Sequence, residues 1–190
     1  LLDRIFEKSE AAQILNHVPD AHWEAFELCD SYLERTRDEI AKTHVNSPRF
    51  GPINKGRGKI KKLHKFHILN WAKERAGTLS LDSKSSSTSY VLKIDQAESA
   101  LRCLETALEY YPRETNLQES HEAVTEYLSS IKISNKIDQA ERATKMGENK
   151  RALRLYKDAL FSLTTEKVRE RDREIIAEKI NFEIQKLQDD

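Results

Sequence analysis

The sequence predicts an all-α protein, built as a helical-hairpin array behind an N-terminal hairpin of two long helices. Apolar residues recur at three- and four-residue steps through most of the chain, which is typical of helices that bury one face. No segment shows the sustained alternation of a β-strand, and the chain has only five Gly and four Pro to interrupt helices. We therefore expect about seven or eight helices joined by short loops.

The N-terminal part of the chain predicts two helices separated by a proline. Leu1–His17 has the pattern of a short helix, Pro19 ends it, and Asp20 can cap the next one. That next helix is predicted at Ala21–Thr43, with many charges on its exposed face. Its apolar stripe consists of Trp23, Phe26, Cys29, Leu33 and Ile40.

A loop and a third helix complete the predicted hairpin. Asn46–Pro52 contains two Pro and one Gly in seven positions and is the clearest loop of the chain. The third helix is predicted at Lys59–Leu79, with His64 and His67 among its apolar positions. We expect Trp23 and Trp71 to anchor the core between the two long helices.

A Ser-rich stretch, LDSKSSSTS at 81–89, has nothing to bury and predicts a linker or an exposed loop. It divides the chain into an N-terminal helical region at 1–80, with a basic loop and helix, and a second helical region at 90–190.

The second region predicts a regular series of helices. Tyr90–Tyr111 is stopped by Pro112, and apolar steps from Leu117 to Ile131 indicate the next helix. Lys136–Leu163 then predicts two short helices joined by a turn at Met146–Asn149. A charged helix at Lys167–Leu187 ends the series.

The hexapeptide Lys-Ile-Asp-Gln-Ala-Glu occurs twice, at Lys93–Glu98 and at Lys136–Glu141, 43 residues apart. Such a period is found in stacked helical hairpins, and a chance recurrence in a helix-biased composition is the alternative.

Two family resemblances attach to this region. Gly147, Ala152, Tyr156 and Ala159 match in type and spacing the turn and second helix of a tetratricopeptide (TPR) repeat, which this segment resembles. Ala100–Pro112 resembles another second helix, although its expected first helix falls on the Ser-rich stretch. Ile137–Leu187, as three antiparallel helices, is also similar to the microtubule-interacting and trafficking (MIT) domain.

Both resemblances imply a groove between helices that takes up another polypeptide, and neither implies catalysis. The candidate groove residues are Ala152, Leu155, Tyr156 and Ala159. We therefore expect a non-enzymatic interaction or scaffold module with a protein or peptide partner, and no cofactor.

One basic stretch supports an alternative function. Between Arg49 and Arg75 nine basic residues face Glu74 alone, a net charge of +8 in a chain whose total is zero. Contact with nucleic acid or an anionic membrane surface is one interpretation, and a solvated face that pairs with acidic helices such as Glu24–Asp38 is the simpler one. The candidate anion-binding residues are Lys55, Arg57, Lys59, Lys61, Lys62 and Lys65.

The sequence contains no catalytic or metal-binding signature. Lys-Gly-Arg-Gly-Lys lacks the Gly-Lys-Ser/Thr ending of a phosphate-binding loop. His64 and His67 are spaced to share a metal only if His44 or a carboxylate supplies a third ligand, and a place beside a buried stripe is the simpler explanation. We expect no metal site.

Composition places the chain among charged helical proteins, with 38% hydrophobic and 34% charged residues. Cys29 and Cys103 lack the spacing of a zinc site and suit a reducing compartment, with one long-range disulfide as the alternative. No apolar run reaches membrane-spanning length. We expect a cytoplasmic protein, which could be the soluble part of a longer, anchored one because the sequence does not begin with Met.

Overall fold

A computed structural model describes residues 1–15, 17–84 and 89–189. Across these residues the chain forms seven α-helices and no strand, which confirms the all-α prediction. The helices are α1 (Leu2–Ile14), α2 (Pro19–Lys42), α3 (Phe50–Lys84), α4 (Tyr90–Tyr110), α5 (Thr115–Lys145), α6 (Asn149–Thr165) and α7 (Glu170–Asp189).

The start of α2 differs from the prediction. Pro19 is the first helical residue, and Asp20 lies inside the first turn rather than at the cap, which is Val18 without a side-chain hydrogen bond. Proline is tolerated at this position because the first backbone N–H groups of a helix have no intrahelical acceptor in any case.

The third helix is longer than predicted at both ends. It begins at Phe50 rather than Lys59, so Pro52 falls in its first turn, where proline is permitted. Gly56 therefore lies within the helix, and a Cβ there would lie 3.0 Å from the hydroxyl oxygen of Tyr32, so its absence allows α2 to approach closely. The helix continues to Lys84, through the first residues of the predicted linker, and 85–88 lie outside the described residues.

The fifth helix is continuous across the break predicted between Ile131 and Lys136. Leu128 and Ile131 pack against α4, whereas Ile133 and Ala140 pack with α6 and α7. One continuous helix thus buries two different faces along its length. Because the apolar stripe changes face between Ile131 and Ile133, the sequence pattern resembles the end of one helix and the start of another.

The predicted turn at Met146–Asn149 is present. Gly147 has φ +75°, a left-handed conformation that residues with a Cβ rarely adopt. The Gly147 N–H donates to the Thr144 carbonyl oxygen and the Glu148 N–H to that of Ala143, each at 2.9 Å. These two hydrogen bonds form a Schellman motif, which ends α5 and reverses the chain.

The chain divides into two compact units. The first unit is Leu1–Thr78 with Cys103–Gln118, and the second unit is Leu79–Arg102 with Glu119–Asp190. Helices α3, α4 and α5 therefore contribute residues to both. The division into 1–80, 81–89 and 90–190 stays a prediction from composition.

In the first unit, α1, α2 and α3 share one core. Ile5, Cys29 and Ile60, one from each helix, are fully buried and in contact. The rings of Trp23 and Trp71 lie 4.5 Å apart between α2 and α3 and are half-buried. The two predicted long helices thus pack against each other, with α1 covering one side.

In the second unit, α5, α6 and α7 share a core of large side chains. Tyr156 and Leu163 of α6 and Ile180 of α7 are buried against Ile133 and Ala140 of α5. A neighbouring cluster joins the first half of α4 to α5. It consists of Ala97, Leu128 and Ile131, with Tyr90, Ile94, Leu101 and Tyr127 packed around them.

Candidate functional site

Three features were singled out in the sequence: the histidines of α3, the basic stretch and the groove residues of α6. The structure places the histidines in a buried polar cluster of the first unit. The Nδ1 atoms of His22 and His67 lie 2.9 Å apart, and His67 Nε2 lies 2.8 Å from Ser9 Oγ. Both rings are fully buried, and Ser9 also accepts a hydrogen bond from Gln13.

Hydrogen bonding in this cluster is incomplete at one atom. If Ser9 donates to His67 Nε2, then His67 Nδ1–H donates to His22, and the reverse order is also consistent with the distances. In both arrangements His22 Nε2 is buried without a partner among the described residues. Burial lowers the pKa of His22 and lowers that of His67 to about 4, where the His22 ring adds to the effect.

His64 belongs to a separate hydrogen-bonded chain. Its Nδ1 lies 2.7 Å from the Tyr111 hydroxyl and its Nε2 lies 3.3 Å from Asp30 Oδ1. Burial lowers the pKa of His64 although Asp30 opposes the shift, and burial raises the pKa of Tyr111 to about 12. A neutral His64 therefore accepts from Tyr111 and donates to Asp30.

These contacts bear on the metal hypothesis. His64 and His67 have different partners, and His44 lies in the loop after α2, where its Nδ1 accepts from the Asn46 N–H. Within the ranges that the structure describes, no group of three or more His, Cys, Asp or Glu side chains is arranged to hold a metal ion. No disulfide joins Cys29 and Cys103, and burial raises the pKa of the Cys29 thiol to about 12.

The six candidate anion-binding residues fall into two groups. Arg57 donates to the Leu33 carbonyl oxygen at 2.6 Å and to Thr36 Oγ1, so its guanidinium group joins α3 to α2. Lys65 forms an ion pair with Glu114 at 2.6 Å. The remaining four are exposed and form no ion pair with any described residue: Lys55, Lys59, Lys61 and Lys62.

The expected pairing with the acidic face of α2 is not present in the described part of the chain. No Lys or Arg of α3 forms an ion pair there with a carboxylate of α2, and Glu24 pairs instead with Lys8 of α1 at 2.7 Å. Four lysines thus remain available to solvent, whereas Arg57 and Lys65 stabilise the first unit.

The four candidate groove residues also separate. Ala152, Tyr156 and Ala159 are buried, at 0%, 1% and 0% exposure, and they pack α6 against its neighbours. Side chains this deeply buried contact no partner while the fold is intact. Leu155 is half-buried and lines an open groove of about 300 Å³ on the second unit.

That groove, here called the Leu155 groove, is lined by two apolar side chains, here called its apolar base, and by six polar side chains, here called its polar rim. Leu155 and Ile94 supply the apolar surface, and the rim carries two lysines, two carboxylates and two amides, so its formal charges cancel. The rim residues are Lys132, Lys136, Asp158, Glu166, Asn135 and Gln139.

The charged rim residues are largely satisfied within the unit. Lys132 pairs with Glu98 at 3.1 Å, Lys136 donates to Ser162 Oγ at 2.5 Å, and Glu166 accepts from Ser129 at 3.0 Å. The Gln139 amide donates a hydrogen bond to Asn135 Oδ1 at 3.0 Å. The Gln139 side-chain oxygen and the Asn135 N–H₂ group remain available for hydrogen bonds to a ligand.

Sequence reasoning missed most of this groove. Ile94 belongs to the first copy of the repeated hexapeptide, and Lys136 and Gln139 belong to the second. The alanines of the two copies, Ala97 and Ala140, are both fully buried. The repeated hexapeptide could therefore have indicated the groove residues, because burial of its alanines determines which neighbouring side chains lie at the surface.

Comparisons with other proteins add no assignment. In the described part of the chain, no helix is long and apolar enough to cross a membrane. No protein-family model, no curated protein and no solved structure matches the chain, so it is assigned to no family.

Proposed function

We propose that the second unit is a non-enzymatic binding module that takes up a polypeptide segment in the Leu155 groove. The observation that carries this is the groove's composition: an apolar base, a rim whose charges cancel, and two amides with unused hydrogen-bonding groups. The predicted interaction role and the resemblance to TPR and MIT helical hairpins are consistent with it.

A polypeptide fits this chemistry better than an anionic ligand does. Both lysines of the rim are already engaged, with Glu98 and with Ser162, so the groove presents no free cation to a phosphate. An amide side chain both donates and accepts, as a peptide main chain does, and can pair with it at Asn135 and Gln139. Leu155 and Ile94 would then cover one apolar side chain of the bound segment.

The test is selection of peptides from a random displayed library on the immobilised chain, followed by titration of the selected peptides against variants. Asn135→Ala with Gln139→Ala removes the amides, and Leu155→Glu places a charge in the apolar base. We expect Leu155→Glu to weaken binding about tenfold to a hundredfold, the effect of losing one buried apolar contact.

Gln185→Ala with Gln188→Ala is the matched control, because these exposed amides lie on α7 and do not line the groove. Circular dichroism must show unchanged helix content for every variant. The double amide variant covers the case in which Leu155→Glu unfolds the unit. Selected peptides that bind all variants equally, or a library that yields no specific peptide, would contradict the proposal.

A further inference from the structure

The outer face of α6 carries three basic residues followed by a phenylalanine. Lys150, Arg154, Lys157 and Phe161 are separated by four, three and four residues, which places them in one row along the helix. All four are exposed, and Phe161 is 69% exposed. The row is about 16 Å long at the rise of an α-helix.

The same series occurs on α3. Lys55, Lys59, Lys62 and Phe66 follow identical steps and are all exposed, with Phe66 at 39%. Phe66 is partly held by edge contacts with the rings of His22 and His67, whereas Phe161 projects further. Within the described residues, none of the six basic side chains of the two rows forms an ion pair.

We propose that each row is a docking site for the surface of an anionic phospholipid bilayer. The basic side chains would lie among the headgroup phosphates, and the phenylalanine would enter the apolar interface beside them. Such a surface accommodates cations and an exposed aromatic ring together, and it would cover the part of the Phe161 ring that is now exposed to water.

The geometry of α6 favours a flat ligand over a duplex groove. Ala152, Tyr156 and Ala159 are buried on the opposite side of α6, so the row lies on the face that is exposed. A recognition helix lies within the major groove of the duplex, which is about 12 Å wide and about 8.5 Å deep. A single straight row instead lies tangent to a plane, where all four side chains reach the surface at once.

The experiment is co-sedimentation of the full chain with vesicles of phosphatidylcholine, with and without phosphatidylserine, over a range of salt concentrations. We expect binding only to the anionic vesicles and a decrease with salt, because the attraction is screened. In the background Lys55→Gln, Lys59→Gln and Lys62→Gln, which leaves only the α6 row, Lys150→Gln with Arg154→Gln and Lys157→Gln should weaken the remaining binding about a hundredfold, at about fivefold for each basic residue near such a surface. The corresponding α3 triple variant at Lys55, Lys59 and Lys62 tests the second row.

The matched control is Lys42→Gln with Arg171→Gln and Lys186→Gln, which removes the same charge from exposed positions outside both rows. If this control weakened vesicle binding equally, the effect would come from the net charge of the protein and not from the rows, and the proposal would be overturned. In a second readout, brominated lipids should quench the indole emission of Phe161→Trp more than that of the wild type. Absence of vesicle binding, or tighter binding to single-stranded RNA through the same residues, would also overturn it.

Discussion

The Nδ1 atoms of His22 and His67 face each other at 2.9 Å between two fully buried rings. Only one proton can lie between these atoms, so the contact exists only while at least one ring is neutral. Protonation of both would place two positive charges side by side away from water. The core of the first unit is therefore suited to neutral histidines.

The first prediction is that the first unit loses stability as the pH falls below about 6.5, the pKa of a histidine in the unfolded chain. The folded pKa values of His22, His64 and His67 are all lowered, that of His67 to about 4. Between about pH 6.5 and about pH 4 the unfolded state therefore binds more protons than the folded state. The contribution of the neutral histidines to the free energy of unfolding is complete above about pH 6.5 and is lost as the pH falls toward about 4. Urea unfolding across this range measures it.

His67→Gln should flatten this pH dependence, because it removes the group with the largest shift. Ser9 and Gln13 of α1 and Glu74 of α3 face the pair and remain in the variant, so the comparison isolates the histidine. His44→Gln is the control, since His44 is exposed in a loop. An equally steep dependence in His67→Gln would show that the buried pair is not its source.

The second prediction separates Arg57 from its basic neighbours. Arg57→Gln should lower the free energy of unfolding by about 1–3 kcal/mol, since it breaks charged hydrogen bonds to Leu33 and Thr36. Lys59→Gln, at an exposed position two residues away, should change it by less than about 0.5 kcal/mol. Chemical denaturation measures both, and equal effects would contradict the structural role of Arg57.

The third prediction compares two glycines inside α3. Gly58→Ala should raise the free energy of unfolding by about 0.5–1 kcal/mol, because a Cβ there meets no atom within 4 Å and alanine favours the helix. Gly56→Ala should raise the free energy of unfolding by less than this or should lower it, because the Cβ of the new alanine would lie 3.0 Å from the Tyr32 hydroxyl oxygen. Thermal unfolding of the two variants gives the difference. A larger gain at Gly56 would show that α2 and α3 do not approach there.

Periodicity predicted the helical elements well because most helices here bury one face. It failed at α5, where Ile131 and Ile133 belong to different cores, and at the start of α3, where two Pro and one Gly within Asn46–Pro52 indicated a loop. A local sequence pattern indicates the helical preference of one segment. Packing against a neighbouring helix decides whether a helix continues through residues that disfavour it, such as Gly or Pro.

The candidate groove was predictable only in part for a related reason. The stripe of α6 indicated an apolar face, but it did not show that α5 and α7 cover Tyr156 and leave Leu155 at the edge. His22 was missed because histidine was not counted as a buried residue in α2. It lies four residues before Phe26 and thus continues the stripe of that helix.

The most direct test of the proposed function is a nuclear magnetic resonance titration of the ¹⁵N-labelled chain with a peptide selected on it. We expect the largest chemical-shift changes at the side-chain amides of Asn135 and Gln139 and at the backbone amides of Ile94 and Leu155. The side-chain amide of Gln185, outside the groove, should stay unchanged. Shifts confined to residues outside the Leu155 groove, with these signals unmoved by a bound peptide, would contradict the proposal.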